Sequence, residues 1–315
     1  MSRKHRFLWT AVCVCMMLSA CGQHSAHLEQ TEPTVEQTTV PESVSTVPTE
    51  TEPPETMLPE TEPAIPWQPP EDTAFVDVSE YIPDIAVELK YTTRDNFTGQ
   101  IIYDFDTCYL RYGTVKKLMA VQDALGMQGL GLKIWDGFRP VSAQFALWEA
   151  CPDPTYVSNP ETGYSSHSRG NTVDLTVVDS SGREGGMPPG FDDFSALADR
   201  DYSDCGVEAS ENVLMLQNLM EANGFTGYFG EWWHFSDTDS YEVEKVFDPA
   251  VVSVWYADCE EFISLRTQPD TAAEVMTRIP VGGEFTLLGY IGDFSMVEYQ
   301  GAIGYVLTSY TESVE

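Results

Sequence analysis

The pattern of apolar and polar positions divides the chain into parts of different character. Residues 21–72 contain few apolar side chains and repeat Thr, Glu and Pro, so this stretch cannot bury enough surface to offset the entropy of ordering. In residues 73–250, apolar positions recur at both strand and helix spacings. In residues 254–315, short apolar runs alternate with glycines. The pattern predicts a disordered tether, an α+β domain and a small all-β domain.

Strand and helix signals are interleaved within residues 73–250. Alternating apolar positions predict strands at 75–78, 85–89 and 172–178, and a short apolar run that ends in a turn predicts a strand at 132–135. Apolar stripes predict helices at 112–125, 142–149 and 210–223. Ser142 and Ser210 are the expected N-caps of the last two helices. In the strand at 172–178, alternate apolar side chains share one face, and Asp174 lies on the opposite face, toward a cleft.

Five short apolar runs follow residue 254, at 262–266, 274–279, 284–289, 295–299 and 303–307. Their regular spacing predicts a small β-barrel. The pattern from Leu265 through Gly282 and Gly301 to Val306 resembles a bacterial SH3-like domain, although Phe294 stands where a tryptophan is common. The resemblance implies a module that binds peptidoglycan. A purely structural appendage is the alternative.

Residues 1–20 have the features of a bacterial signal peptide. Three basic residues precede an apolar run at 7–18 that is short for a membrane span, and Leu18-Ser19-Ala20-Cys21 follows. These four residues resemble a lipobox. The resemblance implies cleavage before Cys21, a lipid on its sulfur, and an extracytoplasmic lipoprotein anchored to the cell membrane. The alternative is an ordinary secretory peptide that leaves Cys21 as a free thiol.

Charge and cysteine content narrow the range of partners. The formal net charge of −34 argues against nucleic acid and against an anionic membrane surface as electrostatic partners. Eleven acidic residues and no Lys or Arg lie from Cys21 through Asp72, so part of this charge belongs to the tether. Four further cysteines would lie in an oxidising compartment, where they allow three disulfide pairings or remain free thiols. They are Cys108, Cys151, Cys205 and Cys259.

Two histidine motifs supply the candidate chemistry. His167 and Asp174 are seven residues apart with Gly170 between them, a spacing that suits two metal ligands. Glu231 precedes His234 by three positions, which suggests that both lie on one turn. The chain has five histidines, and the other three lie in the predicted signal peptide and tether. Two His and one Asp, with a position left for water, form a catalytic zinc set, and Glu231 suits the role of a base that is not a ligand.

The arrangement of these motifs resembles that of the VanX-type D-alanyl-D-alanine dipeptidases, zinc peptidases of the D,D-peptidase superfamily. Ser165-x-His167-x(6)-Asp174 is similar to the first zinc motif of that family, and Glu231-x-x-His234 is similar to the second. Further matches follow in the same order at Lys90-Tyr91, residues 95–99, residues 136–140 and Phe191-Asp192. Thr172 stands where a small alanine is common. The resemblance implies a central antiparallel sheet with flanking helices.

The resemblance also implies a role for each matching residue. The zinc ligands would be His167, Asp174 and His234. Glu231 would act as the general base and then as the acid that protonates the leaving amine, and Arg139 would hold the developing oxyanion. Tyr91, Ser165 and Asp192 would contact the substrate, with Asp192 facing its amino group. Considered without the family, Arg139 suits a surface turn, and Asp192 or Asp193 suits the cap of a following helix.

The implied function is zinc-dependent hydrolysis of D-alanyl-D-alanine, or of a closely related small cell-wall peptide, by a metal-activated water. Zinc suits this task because it lowers the pKa of a bound water to about 7. The predicted export favours a substrate outside the cytoplasm, so a D,D-carboxypeptidase that trims peptidoglycan stem peptides is an alternative. A non-catalytic wall-binding lipoprotein is a third reading, which the presence of Glu231 and Arg139 disfavours.

Overall fold

A computed structural model describes residues 69–314, all of which belong to one compact unit. The predicted signal peptide at 1–20, the lipidation site at Cys21 and nearly all of the predicted tether lie outside the described residues. Separate hydrophobic cores form in the part of the chain before Val252 and in the part after it. None of the helices in the described part of the chain is long and apolar enough to span a membrane.

The larger domain is an α+β structure built on a five-stranded sheet, with two further strands outside that sheet. The strands of the domain are β1 (Phe75–Asp77), β2 (Ala86–Val87), β3 (Tyr109–Arg111), β4 (Leu130–Asp136), β5 (Thr172–Asp179), β6 (Phe225–Tyr228) and β7 (Glu231–Asp237). Its helices are α1 (Val78–Tyr81), α2 (Tyr112–Gly126), α3 (Val141–Ala150) and α4 (Val207–Ala222). The sheet has the order β2-β4-β5-β7-β6 and is antiparallel except for the short β2 at its edge. Strands β1 and β3 form a separate antiparallel pair.

Burial of apolar stripes explains why α2 and α4 lie against the sheet. In α2 the buried positions recur at helical spacing, at Val115, Leu118, Val121 and Leu125, and in α4 they are Val213, Leu216 and Met220. Strand β5 is buried from Thr172 through Val178. A central strand that is buried on both faces holds its side chains in fixed positions, so β5 is a rigid base for any functional group that it carries.

The predicted serine caps are wrong for both helices. Helix α3 begins after Pro140, whose ring fixes φ at −54° and so sets the entry into the helix, and Ser142 lies inside the first turn. Helix α4 begins at Val207, three residues earlier than predicted. Ser210 therefore lies within the helix, and its hydroxyl donates a hydrogen bond to the carbonyl of Tyr202. A serine before an apolar run does not distinguish a cap from a first-turn position.

The C-terminal part forms an all-β barrel-like sheet, as predicted. Its strands are β8 (Ser253–Ala257), β9 (Phe262–Arg266), β10 (Val275–Pro280), β11 (Glu284–Ile291), β12 (Phe294–Tyr299), β13 (Ala302–Leu307) and β14 (Thr311–Ser313). The order is β10-β9-β13-β12-β11-β8-β14, with every pair antiparallel. Strands β8 and β14 were not predicted because neither has an alternation of apolar and polar residues, and β14 consists of three polar residues.

The four cysteines of the described region are free. Cys108 is buried, and the other three are partly buried. Of the alternatives that the sequence leaves open, the structure therefore has the free thiols.

Candidate metal centre

Three elements bring the predicted ligands together. His167 lies on a 3-10 turn at Ser166–Arg169, Asp174 is the third residue of β5, and His234 lies on β7. Asp174 and His234 are direct partners in the antiparallel β5-β7 register. Their ligand atoms and that of His167 all lie within 4.8 Å of one another.

The turn that carries His167 is fixed by its two ends. The hydroxyl of Ser165 accepts a hydrogen bond from the backbone N–H of His167 at 3.3 Å, so this predicted substrate contact also caps the turn. Gly170 ends the turn at φ +75°, a conformation that favours glycine, and the ring of Phe75 fills the space where a Cβ would lie. His167 Nδ1 donates to the carbonyl of Gly137 at 2.8 Å, which leaves Nε2 directed to the centre.

The donor set fits a zinc ion. His167 Nε2 lies 3.3 Å from Asp174 Oδ2, and His234 Nδ1 lies 3.0 Å from Asp174 Oδ1. Despite that short distance, the geometry between His234 Nδ1 and Asp174 Oδ1 is not that of a hydrogen bond, so the buried Oδ1 has no hydrogen-bond partner, as expected for an atom that binds a cation. Burial opposes ionisation, but the two imidazoles hold the pKa of the Asp174 carboxyl well below its ordinary value. Two imidazoles and one carboxylate are the ligand types of catalytic zinc sites, which keep a fourth position open.

Glu231 reaches the centre through an irregularity in the sheet. It lies on strand β7, not on the turn that the sequence suggested, and residues three apart on a regular strand point to opposite faces. Pairing between β6 and β7 shifts after Gly227, so that Tyr228 pairs with Glu231. This bulge turns the carboxylate inward, and Glu231 Oε2 lies 3.5 Å from His234 Nδ1. Burial and the charge of Asp174 raise the pKa of Glu231 above its ordinary value.

Arg139 is a buried residue, not a surface turn residue, and three side chains hold its guanidinium. Its Nη2 lies 2.5 Å from Asp136 Oδ2, its Nη1 donates to Gln144 Oε1 at 3.0 Å, and its Nε donates to the Tyr103 hydroxyl at 3.3 Å. Tyr103 in turn donates to Asp136 Oδ1 at 2.7 Å. Burial disfavours the charged guanidinium, but Asp136 raises the pKa of Arg139 well above its ordinary value. Its charge is therefore permanent.

Asp192 lies in the same cavity as Arg139 and accepts hydrogen bonds from the Tyr91 hydroxyl at 3.3 and 3.4 Å. Its φ is +60°, a strained value for a residue other than glycine. Neither Asp192 nor Asp193 caps a helix, because Ser195 caps the 3-10 turn that follows, Ala196–Ala198. Asp193 accepts from the backbone N–H of Ser195 at 2.7 Å. Burial raises the pKa of Asp192 to about 7, and the charge of Asp174 acts in the same direction.

A cavity of about 240 Å³ joins these groups. It is lined by all of the predicted site residues of the larger domain, which are Tyr91, Arg139, Ser165, His167, Asp174, Asp192, Glu231 and His234.

Sequence reasoning missed the residues that hold Arg139. Asp136 lies three positions before Arg139 within the motif at residues 136–140, and this spacing could have indicated their ion pair. Tyr103 gave no such signal, because it lies 36 residues before Arg139 and meets it only through tertiary packing. Gln144 lies only five residues after Arg139, on helix α3, but no motif marked it.

Comparison with known proteins gives a consistent result for both parts of the chain. Residues 71–252 match the family model described as D-ala-D-ala dipeptidase, and residues 261–312 match the bacterial SH3 domain. The D-alanyl-D-alanine dipeptidase of Escherichia coli is 39% identical over 163 residues, which is 52% of this chain and 84% of that protein. The D-alanyl-D-alanine dipeptidase of Enterococcus faecalis is 31% identical over 201 residues, which is 57% of this chain and 99% of that protein.

Among solved structures, a mutant of the vancomycin resistance D,D-pentapeptidase VanY in complex with Zn(II) aligns at 17% identity with a TM-score of 0.29. The alignment covers 42% of this chain and 74% of that chain. A structural similarity this low supports no conclusion beyond those drawn from the sequence relatives.

Proposed function

Because the chain belongs to the D-Ala-D-Ala dipeptidase family, we propose that its preferred substrate is the free dipeptide, whose ammonium group binds Asp192. The protein is a zinc metallopeptidase that hydrolyses D-alanyl-D-alanine or a closely related small cell-wall peptide. Its zinc ligands are proposed to be His167, Asp174 and His234, in agreement with their donor types and mutual distances.

The remaining site residues have distinct tasks in this proposal. When bound, zinc supplies the Lewis acidity that makes water a usable nucleophile at neutral pH. Glu231 takes a proton from the attacking water and delivers it to the leaving amine, and its raised pKa suits both steps. The Arg139 guanidinium stabilises the oxyanion of the tetrahedral intermediate. Since Asp136 and Gln144 already fix its position, little reorganisation is needed as charge develops.

One observation favours the dipeptide over a longer stem peptide. Asp192 is partly buried in the catalytic cavity, and within residues 69–314 no Lys or Arg lies within ion-pair distance of it. A carboxylate in that setting gains most from a cation supplied by the substrate. A free dipeptide carries an ammonium group close to its scissile bond, whereas a stem peptide has a neutral amide there. Tyr91 orients the carboxylate through its hydroxyl.

The test is to incubate the zinc-loaded full chain with D-Ala-D-Ala, with L-Ala-L-Ala and with a pentapeptide that ends in D-Ala-D-Ala, and to measure free alanine. Release mainly from D-Ala-D-Ala supports the proposal. Release mainly from the pentapeptide would move the assignment to D,D-carboxypeptidase. Zinc-dependent binding of these peptides without turnover would instead favour the non-catalytic wall-binding reading.

The bacterial SH3 domain indicates a cell-wall-related protein that acts outside the cytoplasm. We propose further that this domain binds peptidoglycan and that a lipid on Cys21 anchors the chain to the cell membrane. The lipobox-like residues before Cys21 support the anchor. Cys21→Ala should move the protein from the membrane fraction to the soluble fraction, and unchanged membrane association would refute lipid anchoring. Binding of the chain to purified peptidoglycan tests the other part, and an unbound protein would refute it.

A further inference from the structure

A third hydrophobic cluster lies where the larger domain meets the C-terminal barrel. Its buried members are Phe138, Phe247, Leu288 and Met296, which we call the interdomain cluster. Leu288 lies on β11, where the pairing with β12 shifts between Leu287 and Gly289, and Met296 lies on β12. Both pack in this cluster, whereas the neighbouring Leu287 belongs to the core of the barrel itself. Strand β11 therefore contributes to two different packing environments.

Phe138 links this cluster to the catalytic groups. It stands between Gly137, whose carbonyl accepts from His167 Nδ1 at 2.8 Å, and Arg139. The backbone N–H of Arg139 also donates to the carbonyl of His167, at 3.3 Å. The segment 137–139 thus holds the His167 ring on one side and carries the guanidinium on the other. The Phe138 side chain is its anchor in the interdomain cluster.

The segment that connects the domains makes a second link. Phe247 forms a β-bridge with Gly289, and the backbone N–H of Asp248 donates to the carbonyl of Leu288 at 2.9 Å. A Cβ at Gly289 would overlap the carbonyl of Val246, so the two backbones are in close contact. At the other end of the segment, the N–H of Glu244 donates to the carbonyl of Ser168 at 2.8 Å, in the turn that carries His167.

Aromatic stacking joins the two links into one packed unit. The rings of Phe75 and Phe247 stack at 4.3 Å with an interplanar angle of 6°, and Phe75 lies 4.5 Å from Phe138. Phe75 also fills the space beside Gly170, at the end of the His167 turn. A close-packed cluster transmits a displacement to its neighbours because it contains little free volume.

We propose that the C-terminal barrel supports the catalytic centre, with Leu288 and Met296 acting as positioning residues for Arg139 and His167. The proposal rests on the proposed function for its kinetic readout only. Leu288 and Met296 of the barrel pack in one cluster with the Phe138 side chain. This packing keeps segment 137–139 in the position that the Arg139 guanidinium and the His167 imidazole require. Loss of this support shifts both groups, and a displacement of about 1 Å at a catalytic group can cost on the order of 100-fold in rate.

Two adjacent leucines on β11 provide a matched test in the full chain. Leu288→Ala removes side-chain volume behind Phe138, whereas Leu287→Ala removes the same volume from the core of the barrel. For Leu288→Ala we expect kcat for D-Ala-D-Ala to fall about 10-fold with KM changed by less than about 2-fold, because Arg139 acts on the transition state. We also expect weaker zinc binding in a chelator competition. Leu287→Ala should lower the thermal midpoint and leave kcat and zinc affinity unchanged.

The outcomes separate a positioning role from a general loss of stability. Wild-type kcat and zinc affinity in a folded Leu288→Ala protein would overturn the proposal, and so would equal losses in both variants. Leu288→Met, which restores the volume, should recover the activity. If Leu288→Ala fails to fold, Met296→Ala must show the same pattern for the proposal to stand. Zinc affinity needs no turnover, so an inactive wild type would refute the proposed function and leave this test intact.

Discussion

Asp192→Asn is the substitution that tests substrate choice most directly. Asparagine has nearly the same shape as aspartate, and its carbonyl can still accept from the Tyr91 hydroxyl, so the loop should keep its structure. What the variant loses is the negative charge that faces the substrate ammonium. A hydrogen bond to a charged group contributes about 1.5–3 kcal/mol, and 1.4 kcal/mol corresponds to a factor of ten. We therefore expect KM for D-Ala-D-Ala to rise about 10- to 100-fold.

The assay follows initial rates of D-alanine release over a range of dipeptide concentrations at a fixed zinc concentration. Asp193→Asn is the matched control, because Asp193 accepts from the N–H of Ser195 and does not line the cavity, and asparagine can accept the same bond. N-acetyl-D-Ala-D-Ala, which has no ammonium group, should be hydrolysed equally poorly by both variants and the wild type. An unchanged KM for the free dipeptide in Asp192→Asn would show that Asp192 does not bind the ammonium.

Three further predictions concern protonation, the general base and stability. Asp192 has a pKa of about 7 and binds the ammonium only when ionised, so the wild-type KM for D-Ala-D-Ala should rise about 10-fold from about pH 8 to about pH 6. The KM of Asp192→Asn should not change over this range. If the two proteins show parallel pH profiles of KM, the prediction is wrong. Glu231→Gln should lower kcat by about 100- to 10,000-fold and leave zinc affinity unchanged, because only the proton transfer is lost. Single-turnover kinetics and chelator competition measure the two quantities. A small change in kcat would show that Glu231 is not the base. Lys117→Met leaves the buried carboxylate of Asp237 without its 2.5 Å ion pair. The free energy of unfolding, measured with urea, should therefore fall by about 1–3 kcal/mol. An unchanged free energy of unfolding would mean that solvent replaces the lysine.

The zinc ligand set could be read from local sequence because the constraint is chemical. The described region contains two histidines, and each lies in a motif with a carboxylate at a suitable spacing. The longer helices α2, α3 and α4 and most strands were also predictable, because a buried stripe requires apolar residues at the period of its element. The sequence did not predict helix α1 or strands β3, β6, β7, β8 and β14. Further errors fall at element ends. At Ser142 and Ser210 a local signal competed with neighbouring backbone constraints, and the neighbours determined where the helices begin.

The tertiary structure alone decided how distant segments meet. Pairing of Asp174 with His234 depends on the register between two strands, and the inward turn of Glu231 depends on a bulge beside Gly227. The support of Arg139 by Tyr103, and the contact of Phe138 with the barrel, join segments that are far apart in the chain. Local sequence therefore indicates which side chains can carry the chemistry. Packing of the folded chain determined their positions, because contacts between distant segments leave no periodic signal in either segment.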